Sequence, residues 1–276
     1  MTSIVSWFNA ENNGSVWVVG DSLITRGSGD YTTLIDSGAK IFAVPLICKA
    51  PDESNFFGRT VLDTKIGLAY AGSSLVGLNI YAVLSTIFPN LVAIEGSRPP
   101  SIEDLGSYAK MISKSYIQSL AQITPDSAPC ELSIMGFCSS TGLYKICHIY
   151  PDFSSGSFDM SMTTYSNEDS KDDFVLLLGD RKSEIESLIK SKRDSITEKD
   201  ITWYRAPQHV LNQLVSNNTY GSIGGYLQQG LCFGRDFTIT SRLISNNGTF
   251  LSHLGFDVTG DASRVGSCIV GMPGMI

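Results

Sequence analysis

Val16-Trp17-Val18-Val19-Gly20-Asp21-Ser22-Leu23-Ile24-Thr25 sets the reading of the whole chain, together with Gly38-Ala39-Lys40-Ile41-Phe42 and Gly67-Leu68-Ala69-Tyr70-Ala71-Gly72-Ser73-Ser74 further on. Val16 to Val19 is a β-rich run that stops at a charged turn. Upstream, Ser3 to Phe8 is β-rich too. Between the two runs lies Asn12-Asn13-Gly14, residue types that tolerate positive φ, so the chain is expected to open with an antiparallel hairpin. Further strands are expected at Lys40 to Cys48, Ile66 to Ala71, Glu131 to Phe137, Tyr144 to Tyr150, Phe158 to Thr164 and Phe174 to Leu178. The tail returns to β character at Phe237 to Ile244 and Thr249 to Leu251, with a turn at Asn246-Asn247-Gly248.

Helices fall between these strands. Leu75 to Phe88 is apolar nearly all round and is expected to be sandwiched between layers, stopping at Pro89. Across Ile102 to Ile123, the residues Leu105, Tyr108, Ala109, Ile112, Tyr116 and Leu120 recur at helical spacing, so this helix covers a sheet. Ser101 with Glu103 and Asp104 suits its start, where carboxylates favour the helix dipole. Arg181 to Arg193 and Pro207 to Val215 read as two more helices, and 165–173 and 194–203 as surface loops or insertions. Strands, helices and strands again suggest an α+β chain of stacked antiparallel sheets with helical outer layers, expected as a single domain over 1–276.

The 20 Lys and Arg against 27 Asp and Glu leave a net charge of −7, which disfavours nucleic-acid binding and polybasic membrane binding. The start, Met1 to Asn9, has no basic region and no sustained apolar run, so the chain is expected in the cytoplasm. Six cysteines without CxxC spacing read as buried reduced thiols. Cys147 and His148 are neighbours in a strand, point to opposite faces and cannot form a nucleophile–base pair. Three scattered histidines point to no metal site, and Gly221 to Gly225 lacks the Gly-Lys-Ser/Thr of a P-loop. No cofactor is expected.

The chemistry starts at Thr2. Methionine aminopeptidases remove the initiator when a small residue follows it, which would leave Thr2 with a free α-amine beside its hydroxyl. The reference pKa of such an amine, about 7.7–8.0, lets it act as general base for that hydroxyl. Thr2, Gly20-Asp21-Ser22, Lys40-Ile41 and Ala71-Gly72-Ser73 then follow one another in an order and at intervals that resemble the proteasome β-subunit branch of the N-terminal-nucleophile hydrolases. The resemblance covers about residues 2 to 90, and residues 131 to 180 more loosely.

It implies a four-layer αββα sandwich, with two antiparallel sheets face to face and helices on both outer faces. It also implies a threonine peptidase or amidohydrolase in which Thr2 is the nucleophile and Lys40 the cation favouring its alkoxide. Asp21 would hold Lys40, the Gly72 N–H would face the oxyanion, and the Thr25 backbone would pair with an extended substrate. Tyr70 and Ser74 would stand at the pocket for the residue before the cut. Peptide or unfolded polypeptide substrates, a homo-oligomer often closed into a ring and an ATPase partner belong to the same implication. Two departures stand out. Where the family has Gly-Ser, this chain has Gly179-Asp180, and Ser222 lacks the Asp that the family places three residues before it. Asp180 and Ser222 are therefore expected to form an altered support for the site. Two rival readings are a noncatalytic subunit of the same kind of assembly and an acylase acting on a small amide.

Overall fold

The hairpin at the start of the chain forms. β1 (Ser3–Asn9) and β2 (Ser15–Asp21) pair antiparallel, with Ile4 opposite Gly20 and Trp7 opposite Trp17. The computed structural model describes residues 2–11, 14–26, 31–53, 58–94, 98–154, 156–244 and 249–274. Met1, Asn12, Asn13 and the Asn246-Asn247-Gly248 turn lie outside them. The chain continues through β3 (Ile24–Arg26), β4 (Thr32–Ile35), β5 (Ile41–Ala50), β6 (Arg59–Gly72), α1 (Ser74–Ile87), β7 (Leu91–Val92) and α2 (Ile102–Ala121). After these come β8 (Cys130–Cys138), β9 (Leu143–Asp152), β10 (Asp159–Ser166), β11 (Leu176–Gly179), α3 (Lys182–Asp194), α4 (Ile201–Tyr204), α5 (Ala206–Ser216), β12 (Leu227–Phe233) and β13 (Asp236–Thr240).

The result is a mixed α/β structure with several sheets and few helices. Five strands run in the order β11-β1-β2-β12-β13 and six in the order β10-β9-β8-β6-β5-β7, antiparallel throughout except for the β5–β7 pair. Because successive strand residues face opposite sides, each sheet divides its apolar residues between two clusters. Ile4, Val16 and Val18 of one sheet meet Ala69, Met135 and Ile146 of the other. The alternate residues Val5, Trp7 and Val19 pack with Ile185, Ile189, Leu211 and Leu214 of α3 and α5. On the six-stranded sheet, Leu68, Leu132, Ile134 and Cys147 pack against Val76, Ile80, Leu84, Leu105 and Ala109 of α1 and α2. Cys147 and His148 do face opposite sides: Cys147 joins that apolar cluster, while His148 meets Glu131.

Helix α2 starts where its cap residues put it. The Ser101 hydroxyl accepts the Asp104 N–H and the Asp104 carboxylate accepts the Ser101 N–H, a reciprocal capping box. It ends at Ala121, and Ile123 beyond it is exposed.

Several expectations need correction. Helix α1 is not sandwiched: Val76, Gly77, Ile80 and Leu84 are buried, but Leu75 and Leu78 face outward, 61% and 42% exposed. Nor is the 194–203 stretch simply a loop, since its end folds into α4, where Trp203 is buried under the Arg193 guanidinium, 4.4 Å from its ring centroid. The start of 165–173 belongs to β10, with Tyr165 against Phe174. The run Phe237 to Ile244 breaks at Ser241, which bridges to Gly274, and Arg242–Ile244 joins a separate small sheet with Phe250–His253. Cys268 is exposed, unlike the other five cysteines.

Strand β12 was not legible at all, because Gln228, Gln229 and Gly230 interrupt its apolar pattern. Gly230 is needed there, since a Cβ would sit 2.4 Å from the Phe237 ring. Among the described residues, no helix is long and apolar enough to cross a membrane.

Candidate active site

The C-terminal end of β2 delivers Asp21 to the site, and the residue before β5 delivers Lys40. Both side chains are fully buried, and Lys40 Nζ lies 3.0 Å from Asp21 Oδ1. The same oxygen accepts the Ser3 N–H at 2.9 Å, while Oδ2 accepts the Leu23 N–H at 3.2 Å and the Gly224 N–H at 3.4 Å. Lys40 also donates to the Leu23 carbonyl at 2.6 Å. Every charge here is met by an opposite charge or a backbone dipole, the condition for keeping an ion pair out of water. Burial pushes the Lys40 ammonium below the ordinary lysine range, and Asp21 offsets this only in part. Burial likewise pushes the Asp21 carboxyl upward, against the opposing pull of Lys40 and the Ser3 and Gly224 amides.

Thr2 leads into β1 and is buried, and its carbonyl accepts the Asp180 N–H at 2.8 Å. This contact requires glycine at 179. Gly179 has φ +88°, and a Cβ there would lie 1.9 Å from the Thr2 carbonyl oxygen. Ser3, opposite Gly179 in the β1–β11 ladder, donates its hydroxyl to the Asp180 carbonyl at 3.0 Å. The Asp180 carboxylate turns the other way and accepts the Ser222 hydroxyl at 2.5 Å. Asp180 and Ser222 thus meet each other, and Asp180 meets Thr2 through the backbone.

Gly72 closes β6 directly before α1, with φ +107° and room for no Cβ, which would fall 2.4 Å from the Pro129 carbonyl. Gly72 and Gly179 line one cavity of about 350 Å³, with Ala71, Glu131, His148 and Lys182 among its other walls. Among the described residues, no hydrogen bond joins the Thr2 hydroxyl to Lys40; the Ser3 amide and Asp21 connect them. Thr25 lies in β3, opposite Thr33 of β4 at an irregular step in the ladder. Tyr70 is fully buried in the apolar cluster under α1 and donates to the Ala39 carbonyl at 3.2 Å. Burial pushes its hydroxyl up to about 12.

Sequence reasoning missed the residue that positions Lys40 from behind. Gln228 of β12 accepts the Lys40 N–H at 3.0 Å and donates to the Gly38 carbonyl at 2.6 Å. Gly224 carries the other unseen support, its carbonyl accepting the Ser22 and Leu23 amides. The glycine cluster Gly221 to Gly225 was the available signal for the second; for Gln228 only a polar pair inside a β-like run marked the place.

No family model and no curated protein matches the chain. Among solved structures it is similar to Anbu (ancestral beta-subunit) from Yersinia bercovieri, with a TM-score of 0.51 and 15% identity over 83% of this chain and 81% of that one. The likeness is one of fold and supports a proteasome-like fold for this chain.

Proposed function

We propose that the chain is a single domain with the αββα four-layer arrangement of the proteasome-like N-terminal-nucleophile hydrolases. In this reading it cleaves amide bonds of peptides or unfolded polypeptide through Thr2, once whatever precedes Thr2 is removed. One observation carries it: a fully buried Asp21–Lys40 pair whose carboxylate also holds the amide of Ser3, the residue after Thr2. A framework role alone gives no reason to bury two charges beside Thr2, where apolar residues of the same volume would serve as well or better.

In the reaction, the Thr2 amine takes the hydroxyl proton, directly or through a water, as Oγ1 attacks the substrate carbonyl carbon. Lys40 favours the alkoxide and keeps the neighbouring amine neutral by repulsion; its lowered proton affinity fits a cation working next to a base. The Gly72 N–H stabilises the oxyanion. Collapse of the tetrahedral intermediate breaks the C–N bond, the amine returns its proton to the leaving nitrogen, and water hydrolyses the ester left on Thr2. Asp180 and Ser222 support the Thr2 carbonyl side. The reading extends to self-association into a homo-oligomer, for which the outward Leu75 and Leu78 offer apolar surface. The test is Thr2→Ala: peptide hydrolysis falls to background while the circular dichroism spectrum and melting curve stay those of the parent. Undiminished hydrolysis in that variant refutes the mechanism and favours a different site.

A further inference from the structure

The cavity shared by Gly72 and Gly179 contains charged groups for which the proposed reaction has no use. Glu131 of β8 lies in its wall, 21% exposed, with Lys182 Nζ at 2.9 and 2.7 Å from its two oxygens and His148 Nε2 at 3.1 Å. Burial would raise the Glu131 carboxyl, but the hydrogen bonds from His148 and Lys182 outweigh it and hold the group below its ordinary range. Glu131 is thus an anion whose charge is already answered. Lys182 is not equally spent. An ammonium has three protons, two of them meet Glu131, and the side chain is 41% exposed at the cavity wall.

The surroundings also favour negative charge. Lys182 is the first residue of α3, a helix of 13 residues whose N-cap, Arg181, makes no side-chain cap bond. The positive end of a helix dipole therefore reaches this wall. Of the carboxylates two residues to either side of it, Asp180 is turned to Ser222 and Glu184 to Arg181. None of the cavity's walls belongs to β3, the strand assigned to pair with the substrate, or is Ser74, assigned to the pocket before the cut; Tyr70, given the same place by the resemblance, is instead buried in the apolar cluster under α1.

We propose that this cavity receives the leaving side of the substrate and that Lys182 binds a carboxylate there, either an acidic side chain just after the cut or the free C-terminus of a short peptide. This rests on the Thr2 reading for the word substrate. The binding itself does not, and the experiment reads binding without turnover. Calorimetric titration of the full chain with three product-like probes separates the sources: alanyl-asparagine amide has no carboxylate, alanyl-asparagine only a terminal one, and alanyl-aspartate amide only a side-chain one.

At least one of the acidic probes should bind about tenfold or more tightly than the neutral one, as expected for a charge-assisted contact in a half-screened site. Whichever does so names the source. Lys182→Met should abolish the difference. Glu131→Gln should enlarge it, because Lys182 then loses its competing carboxylate. Equal binding of all three probes, an acid preference that survives Lys182→Met, or weaker acid binding in Glu131→Gln each overturns the proposal. Acid binding by a chain that hydrolyses nothing would keep the subsite and sink the peptidase, and hydrolysis with flat binding the reverse.

Discussion

Removing one member of the Asp21–Lys40 pair should be among the most damaging single changes in this chain. In Lys40→Met the Asp21 carboxylate keeps the amides of Ser3, Leu23 and Gly224 but loses its counter-charge in a site without solvent. In Asp21→Asn the ammonium keeps the Leu23 carbonyl and one amide oxygen and is left a buried charge. Breaking a buried pair from one side costs about 3–5 kcal/mol. For a chain of this size that corresponds to roughly 6–20 °C in melting temperature. The double variant Asp21→Asn/Lys40→Met removes both charges, so its loss should fall short of the sum of the single losses by about 1–3 kcal/mol. Urea unfolding of the four proteins, followed by tryptophan fluorescence, measures each term; Trp7 and Trp17 lie in the core beside β2 and report the transition. Single losses below about 1 kcal/mol, or strict additivity in the double variant, would refute the view that the two charges depend on each other.

Two other outcomes follow from the same contacts. Gly179→Ala puts a methyl group onto the Thr2 carbonyl at a positive φ, so it should destabilise the chain by about 1–3 kcal/mol and speed amide exchange of Asp180, read by hydrogen–deuterium exchange; parental exchange at Asp180 would contradict the strand contact. Glu131 has a folded-state pKa below its ordinary 4.5, so its stabilisation is fully present above that value and is lost as pH falls through the folded value. Glu131→Gln should therefore melt below the parent at pH 7, with the gap closing as the pH is taken down below the ordinary carboxylate range; a gap that widens on acidification would reverse the sign of the linkage.

The candidate site was legible in the sequence as far as two contacts that the structure forms, Asp21 with Lys40 and Asp180 with Ser222. The Asp21–Lys40 pairing was implied by the family resemblance carried by Gly20-Asp21-Ser22 and Lys40-Ile41, since Asp21 alone reads equally as a turn cap and Lys40 alone as a strand-end charge. The hairpin β1–β2 and the cap of α2 were legible for local reasons, since turn and cap residues act within a few positions of themselves. What lay hidden depends on distant parts of the chain. Strand β12 looks broken until Phe237 is placed across Gly230, and Gln228 looks like a surface residue until Gly38 and Lys40 arrive beside it. Leu75 and Leu78 follow the apolar composition of α1, but only the packing shows that one face of it is uncovered. Likewise, Glu131, His148 and Lys182 come from β8, β9 and α3 and share no spacing that a linear reading could detect.

Intact mass spectrometry before and after incubation with a peptide epoxyketone tests most directly whether Thr2 is a competent nucleophile, because that probe needs both the hydroxyl and the free amine of an N-terminal threonine. The predicted result is a chain that starts at Thr2 and gains the mass of one probe, with no gain in Thr2→Ala. A chain that starts at Thr2, folds and takes up no probe would contradict the claim.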